Sequence, residues 1–337
     1  PKIYKRILSQ GSLGLGESYM DGWWDCKAID QFIDKILRAE LDKKVKNLKT
    51  IFNVIIAKLI NPQRKDAFEI GEKHYDIGND LFSLMLDKRM VYTCAYWKNA
   101  KNLEEAQENK LRLTCEKLKL KPGMKVLDIG CGWGSFLKYA AENYGIIGTG
   151  ITVSKEQVEL GKKLCKGLPV EIRYQDYQDL NEKFDRIVSL GMFEHVGYKN
   201  YKKYMKIIDR CLNEEGLFLL HTIGTKNPQG GADAWLNKYI FPKGFLPSLS
   251  QIINSSEDLF ILEDLHNLGI NYDKTLLAWH NNFIKSWVKL KGKYSERFKR
   301  MWEYYLLSCA GAFRSRNIQV WQIVFSKGRL GNYESIR

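Results

Sequence analysis

The chain has 337 residues, 45% of them hydrophobic, which is enough for one large α/β domain with a smaller appendage. Its 53 Lys and Arg outnumber 39 Asp and Glu, and the net charge of +14 indicates a polyanionic partner, nucleic acid or an anionic membrane surface. No stretch approaches the ~18–20 unbroken apolar residues of a membrane span, and seven scattered cysteines without a C-x-x-C pair favour a reducing cytoplasm over a disulfide framework or zinc site.

Residues 1–62 are predicted to form a small, basic helical domain. Apolar residues recur at helical spacing in Ala28–Ala39 and Val45–Leu59, and Pro62 follows the second helix. The glycine- and aromatic-rich segment 11–24 lacks the Lys-Ser/Thr that follows a phosphate-binding loop. We therefore expect a structural loop with buried tryptophans there.

From residue 122 onward the pattern alternates between strand and helix, which predicts a parallel sheet. A long insertion, Gly224–Glu257, interrupts the alternation and contains several aromatic residues, as lids and binding elements commonly do. The predicted strands are Lys125–Ile129, Ile146–Ile151, Val170–Tyr174, Phe184–Leu190, Gly216–Thr222, Leu259–Leu268 and Ile318–Ser326.

The first predicted strand runs into a glycine-rich loop, and a helix is predicted to follow over Ser135–Asn143. The loop reads Asp128-Ile-Gly-Cys-Gly-Trp-Gly134, whereas a dinucleotide fingerprint would read G-x-G-x-x-G. The order Asp-x-Gly-x-Gly-x-Gly resembles the first motif of S-adenosylmethionine-dependent methyltransferases, in which this loop cradles the methionine part of the cofactor. Trp133 is expected to pack or cover that site.

Polar residues follow the second and third strands, where nucleotide ligands bind in such sheets. Thr152 and Gln157 are candidates for the ribose hydroxyls, although Ser154 with Gln157 also fits a helix capping box. Both functions are compatible, and we expect both. Gln175 and Asp176 are candidates for the adenine, with an ordinary surface turn as the alternative.

The fourth and fifth strands each end beside polar side chains, Glu194-His195 and His221. A single histidine is more often structural than catalytic, but two polar strand ends beside one cofactor loop favour a reaction centre. Cys94 is either a small buried hydrophobe or a nucleophile, and no base lies near it in sequence.

The segment Lys285–Arg337 is strongly basic and interleaved with aromatic residues. One interpretation is an amphipathic helix that packs its aromatic stripe on the sheet and exposes a basic face. The other is a surface for acidic phospholipid, and the two interpretations are compatible.

Several motifs together resemble the bacterial cyclopropane-fatty-acyl-phospholipid synthases over essentially the whole chain. They are His-Tyr-Asp-Ile-Gly-Asn-Asp-Leu-Phe, Thr-Cys-Ala-Tyr-Trp, Val-Leu-Asp-Ile-Gly-Cys-Gly-Trp-Gly, Met-Phe-Glu-His-Val-Gly and Tyr-Ile-Phe-Pro-Lys-Gly-Phe-Leu-Pro-Ser. The resemblance implies a class I methyltransferase fold: α/β, Rossmann-like, with a seven-stranded, mostly parallel sheet containing an antiparallel strand. It also implies that residues 63–337 form the catalytic domain and that residues 1–62 serve dimerisation and membrane engagement.

The resemblance further implies two ligands, S-adenosylmethionine and bicarbonate. The residues expected at bicarbonate are Cys94, Glu194, His221, Tyr272 and the backbone of Ile223. The residues expected at the cofactor are Tyr92, Thr93, Asp128, Gly130, Cys131, Gly132, Trp133, Gly134, Thr152, Gln157, Gln175 and Asp176. No metal is expected.

The implied reaction adds the cofactor methyl to a cis double bond of a phospholipid acyl chain and closes a cyclopropane ring. The implied partner is an anionic bilayer contacted peripherally from the cytoplasm by a homodimer, with no nucleic acid. The alternatives are a methyltransferase that adds a methyl branch or methylates a small amine, a nucleic-acid methyltransferase, and a non-catalytic membrane-binding protein. An intact bicarbonate set favours ring closure.

Overall fold

The computed structural model describes residues 2–41, 78–228, 233–329 and 331–337. The predicted helix Val45–Leu59 and the predicted domain boundary at residue 62 lie outside these ranges. The helices are α1 (Lys2–Gln10), α2 (Ser12–Met20), α3 (Ile29–Arg38), α4 (Asn79–Met85), α5 (Leu103–Lys117), α6 (Ser135–Tyr144), α7 (Lys155–Leu164), α8 (Tyr201–Cys211), α9 (Ala234–Tyr239), α10 (Leu249–Ser256), α11 (Gly269–Leu290) and α12 (Glu296–Arg314).

The described residues include seven strands, and all seven were predicted, four of them with identical bounds. They are β1 (Lys125–Ile129), β2 (Ile147–Thr152), β3 (Val170–Tyr174), β4 (Phe184–Leu190), β5 (Leu212–Thr225), β6 (Ile261–Asn267) and β7 (Ile318–Ser326). Short apolar runs bounded by turn residues specify these strands, because both faces of the sheet are covered by helices.

The strands form one sheet in the order β3-β2-β1-β4-β5-β7-β6, in which β1 to β5 pair in parallel and β7 runs antiparallel between β5 and β6. Alternate residues of β1 enter opposite cores: Leu127 packs on one face and Val126 on the other. From β1 the chain adds β2 and β3 on one side, and it then crosses back to add β4 and β5 on the other side of β1. In open α/β sheets this switch point, at the carboxyl ends of the strands, is where ligands bind.

The segment between Gly11 and Trp24 differs from the prediction, since most of it forms helix α2 rather than a loop. Its glycines permit close helix packing: a Cβ at Gly14 would lie 2.5 Å from the Arg6 carbonyl oxygen, and one at Gly16 would overlap the Trp235 indole. The expectation of buried tryptophans is also wrong for Trp23, whose surface is 47% exposed. Close contact with α1 and α9 outweighs the poor helix propensity of glycine.

Helix α12 packs its buried aromatic residues mainly against helices, whereas one interpretation of the sequence placed them on the sheet. Its basic residues face carboxylates of the N-terminal segment. Arg297 pairs with Asp21 and Arg300 with Asp25, while Arg314 contacts Asp30 through Nη1. Much of the basic face is therefore covered by residues 21–30 of the same chain.

The predicted insertion begins later than expected, because β5 continues to Thr225. Its described part contains α9 and α10. Trp235 on α9 is buried between Met20 and Tyr304, so this part of the insertion is packed against the N-terminal helices. None of the described helices is both long and apolar enough to cross a bilayer.

Candidate active site

The glycine loop after β1 forms the floor of a cavity at the carboxyl ends of β1, β2 and β4. Gly130 and Gly132 have φ of 79° and 56°, and Gly134, with φ of 80°, is the residue before α6. These left-handed conformations favour glycine and bring the main chain to the cavity wall. At Gly130 a Cβ would also lie 2.7 Å from the Met192 side chain, so the loop closes tightly on the end of β4.

Asp128 is buried beneath this loop. Its Oδ1 has no hydrogen-bond partner among the described residues, and burial raises the pKa of the carboxyl to about 7, opposed by the positive charge of Lys110. A buried polar atom without a partner is uncommon, and this one belongs to a residue that lines the cavity. The residue is suited to receive a donor from a ligand.

The end of β2 presents Thr152 and Gln157 together. The Thr152 hydroxyl donates to Gln157 Oε1 at 2.6 Å, and Ser154 Oγ accepts from the Gln157 backbone N–H at 3.3 Å. Ser154 therefore caps α7 as predicted. The reciprocal half of the capping box is absent, because the Gln157 side chain turns to Thr152 at the cavity rather than to the Ser154 backbone.

The structure brings almost all predicted cofactor residues to one cavity. Gln175 and Asp176 line it, and Asp176 Oδ1 also accepts from the Gln178 backbone N–H, so the turn and the cavity wall coincide. Gly134 lies outside the lining, where a Cβ would meet Cys165 and Ile172. The predicted residues that line the cavity are Tyr92, Thr93, Asp128, Gly130, Cys131, Gly132, Trp133, Thr152, Gln157, Gln175 and Asp176.

Gln107 and Lys110, two polar residues of α5, contact Thr93 and were not predicted, and of the two only Lys110 lines the cavity. Gln107 donates to the Thr93 carbonyl at 2.9 Å, and Lys110 Nζ donates to Thr93 Oγ1 at 3.0 Å. Both are buried on α5. Their signal in the sequence is weak. The polar side chains at positions 107, 110, 114 and 117 share one face of the helix, but Glu104, Glu108 and Arg112 make its other faces polar as well.

A second cluster of polar groups lies beside the cavity, at the ends of β4 and β5. Glu194 Oε1 accepts from the Ile223 backbone N–H at 2.6 Å, while Glu194 Oε2 and both ring nitrogens of His221 are buried without a hydrogen-bond partner among the described residues. Burial raises the pKa of Glu194 to about 7 and lowers the pKa of His221 to about 3. His221 is therefore neutral at ordinary pH.

Cys94 and Tyr272 approach this cluster from other elements. Cys94 Sγ donates to the Leu268 carbonyl at 3.8 Å, just before α11, and the neighbouring Ala95 N–H donates to Thr275 Oγ1 at 3.1 Å. Tyr272, one turn into α11, lies within electrostatic reach of Cys94 and Glu194. Burial raises the pKa of both side chains well above the ordinary range, so both stay protonated. A neutral buried thiol argues against the nucleophile interpretation of Cys94.

Tyr92, which lines the cavity, belongs to a cluster of packed aromatic rings. The Tyr92 and Tyr305 hydroxyls are 2.8 Å apart, and the Tyr92 ring packs against Phe82 and Trp279. Trp133 donates to Asn79 Oδ1 at 3.1 Å and packs on Phe82, as expected of a residue that packs rather than reacts. No group of three metal-ligating side chains occurs in the described parts of the chain.

The strand order, the glycine loop and the polar strand ends define a class I S-adenosylmethionine-dependent methyltransferase. The chain matches the family described as mycolic acid cyclopropane synthetase over residues 62–323, and it belongs to that family. It is 56% identical over 330 residues to the cyclopropane-fatty-acyl-phospholipid synthase of Escherichia coli K12, covering 97% of this chain and 86% of the relative. It is 39% identical to a probable fatty acid methyltransferase of Pseudomonas putida, covering 79% and 70%.

Solved structures agree with the fold. The cyclopropane synthase MmaA2 of Mycobacterium tuberculosis aligns with a TM-score of 0.73 and 32% identity, covering 77% of this chain and 98% of that one. Mycolic acid cyclopropane synthase CmaA1, complexed with SAH and CTAB, aligns with a TM-score of 0.72 and 31% identity, covering 79% and 99%.

Proposed function

We propose that this protein transfers the methyl group of S-adenosylmethionine to a cis double bond in an unsaturated acyl chain of a membrane phospholipid and then closes a cyclopropane ring. The observation that carries the proposal is the set of unpartnered buried atoms on Glu194 and His221 beside the cofactor cavity. Ring closure requires a base at the transferred methyl group, because the carbocation left by methyl addition gives a cyclopropane only when that methyl group loses a proton.

The residues of the cavity fit the cofactor by their chemistry. The unpartnered Asp128 Oδ1 can accept from an ammonium group, and Thr152 with Gln157 can serve ribose hydroxyls. The glycine loop lets the ligand approach backbone N–H groups. S-adenosylmethionine, when bound, supplies an electrophilic methyl group, and these residues would hold the cofactor in the orientation that methyl transfer requires.

Glu194 Oε2 and His221 fit bicarbonate, with Tyr272 and Cys94 as further donors. The Ile223 backbone N–H, also expected at bicarbonate, donates to Glu194 Oε1 and would act by holding that carboxyl in place. Bicarbonate, when bound, supplies the base that accepts a proton from the transferred methyl group. Neutral His221 offers one donor and one acceptor, and Tyr272 stays a donor because burial raises its pKa. Glu194, with a pKa of about 7, can accept or donate a hydrogen bond near neutral pH, depending on whether it is ionised.

The cluster of aromatic rings around Tyr92 suits the acyl substrate. Methyl addition to an alkene leaves a carbocation on the chain, which water would trap, so a dry pocket is required. Tyr92 lines the cavity and packs against Phe82 and Trp279, and the faces of such rings stabilise positive charge without offering a strongly nucleophilic atom.

The same proposal includes an anionic bilayer as the surface on which the protein works, from the cytoplasmic side, as a homodimer. Helix α1 supports the bilayer contact: Tyr4 and Leu8 are 69% and 66% exposed, and Lys2 and Lys5 lie on the same short helix. Basic residues beside exposed apolar ones favour an anionic lipid surface. Residues 1–62 would supply this contact, and residues 63–337 the chemistry.

The test incubates the protein with S-adenosylmethionine, bicarbonate and vesicles of phosphatidylglycerol carrying cis-monounsaturated chains. The expected product is an acyl chain heavier by a single CH₂ that lacks its double bond and carries a cyclopropane, seen by mass spectrometry and NMR. A methyl-branched product would overturn ring closure. Methylation of DNA in place of lipid, in a competition with the vesicles, would overturn the substrate class.

A further inference from the structure

Lys110 on α5 is a buried cation at the wall of the cofactor cavity. Its residue surface is 1% exposed, and it lines the cavity together with Thr93 and Asp128. Burial lowers the pKa of its ammonium to about 8, and the carboxylates of Asp87 and Asp128 oppose that shift. Lys110 is therefore charged at neutral pH, although most buried lysines are placed against a direct ionic partner.

The hydrogen bonds of Lys110 do not exhaust its donors. Its Nζ donates to Thr93 Oγ1 at 3.0 Å, and it forms no salt bridge with a described carboxylate. An ammonium carries three N–H donors. Because Thr93 Oγ1 accepts from Lys110, the Thr93 hydroxyl hydrogen is directed elsewhere, and the adjoining space is the cavity.

Asp128 supplies the opposite charge in the same cavity, with Oδ1 unpartnered. A cation acting through a hydroxyl, together with a nearby carboxylate with a free acceptor, is complementary to a zwitterion with one carboxylate and one ammonium. The methionine part of the proposed cofactor is such a zwitterion. The bicarbonate candidates Cys94, Glu194 and His221 do not line this cavity. Lys110 is nevertheless within electrostatic reach of Cys94 and His221, so an experiment on Lys110 has to distinguish a role toward the cofactor from a role toward bicarbonate.

We propose that Lys110 is a positioning residue for the α-carboxylate of the cofactor: it fixes the Thr93 hydroxyl as a donor to that carboxylate and places a positive charge behind it. The proposal deepens the proposed function, because it rests on binding of the cofactor, and it is independent of the acyl substrate.

Helix α5 carries its own matched control. Lys117, two turns further on, is equally buried but forms a 3.0 Å ion pair with Asp264 and does not line the cavity. Lys110→Met and Lys117→Met therefore remove the same buried charge from the same helix, at the cavity and away from it. Thr93→Val removes the intermediate hydroxyl, and Thr93→Ser retains it.

The experiment measures the affinity of the full chain for three probes by calorimetry: S-adenosylhomocysteine, its decarboxylated analogue and 5′-methylthioadenosine. We expect Lys110→Met to weaken the binding of S-adenosylhomocysteine about tenfold or more, the usual effect of a lost charge-assisted hydrogen bond. The affinity for the other two probes should change less than about twofold. Lys117→Met should change none of them. Thr93→Ser should retain affinity, and Lys110→Met in a Thr93→Val background should cost little further, because the two act in series.

Equal weakening of all three probes by Lys110→Met would overturn the proposal and assign Lys110 a structural role. Unchanged probe affinities with a raised bicarbonate requirement would overturn it in favour of a bicarbonate contact. Thermal unfolding of each variant shows whether it is folded. If Lys110→Met does not fold, Lys110→Arg provides a variant that keeps the charge. No lipid enters the three affinity measurements, so their failure is distinguishable from failure of the cyclopropane assay, which alone measures the bicarbonate requirement.

Discussion

Glu194 and Ile223 are joined by a 2.6 Å hydrogen bond from the Ile223 backbone N–H to Glu194 Oε1, which connects the ends of two neighbouring parallel strands. The bond uses one carboxyl oxygen and leaves the other buried without a partner. Glu194 is thereby held in place while keeping an oxygen available for a ligand.

Replacing Glu194 with Gln should abolish most ring formation. The amide oxygen can still accept from the Ile223 N–H, but the amide NH₂ cannot take up or release a proton as the carboxyl can. Turnover should therefore fall about 10²-fold or more. Cyclopropane production at saturating bicarbonate measures the effect. Affinity for S-adenosylhomocysteine should be unchanged, and Glu159→Gln on the exposed face of α7 is the control. Full turnover in Glu194→Gln would remove Glu194 from the proposed bicarbonate site.

Two substitutions at the start of α7 should separate capping from ligand binding. Ser154→Ala removes the N-cap and should lower the free energy of unfolding by about 1 kcal/mol with little change in S-adenosylhomocysteine affinity. Gln157→Leu keeps the cap but removes the polar group beside Thr152, so affinity should fall by roughly five- to tenfold. Calorimetric titration and urea unfolding measure the two effects. If Ser154→Ala lost affinity and Gln157→Leu lost only stability, the proposal that Gln157 binds the ribose would be contradicted.

Asp128 predicts a pH dependence of stability. Its pKa is about 7 in the folded protein and about 3.8 in the unfolded chain, so the folded state binds more protons between these values. Its contribution therefore becomes less favourable as pH rises from 4 to 7. Asp128→Asn should gain stability relative to the wild type across that window, by at least about 1 kcal/mol, in urea unfolding without ligand. Asp258→Asn on the surface is the control for the change of charge, and a pH-independent difference for Asp128→Asn would contradict the prediction.

Gly16→Ala should destabilise the contact between α2 and α9. The added methyl would overlap the Trp235 indole, and overpacking of this kind costs about 1–3 kcal/mol. Gly292→Ala is the matched control, since a Cβ there meets no atom within 4 Å. Thermal unfolding should show a lower Tm for Gly16→Ala. The same substitution should lower Tm less in a Trp235→Leu background, where the smaller side chain makes room for the added methyl. A Tm equal to that of Gly292→Ala would mean that α2 and α9 do not pack in solution as described.

The sheet could be predicted from the sequence because buried strands such as Phe184–Leu190 are short apolar runs between turn residues, a local signal. Helix α2 could not, because its glycines are explained by contacts with Arg6 and Trp235, the latter more than 200 residues away. The positions of Cys94 and Tyr272 likewise depend on a long-range contact, and only the family resemblance grouped them. Lys110 was missed because a lysine in a helix is ordinarily solvent-exposed.

The ion pairs of Arg314 have a practical consequence for dissecting this enzyme. One guanidinium contacts Asp30 on α3 and, through Nε and Nη2, both carboxyl oxygens of Asp273, the residue next to Tyr272. A truncated chain that begins after residue 62 would lose Asp30 and uncover the part of α12 that packs on α2 and α3, including the Tyr304 ring beside Tyr19. Catalytic defects in such a truncation would therefore report damage beside Tyr272 as well as loss of any surface that residues 1–62 provide, and point substitutions on the outer face of α1 are the cleaner way to separate the two.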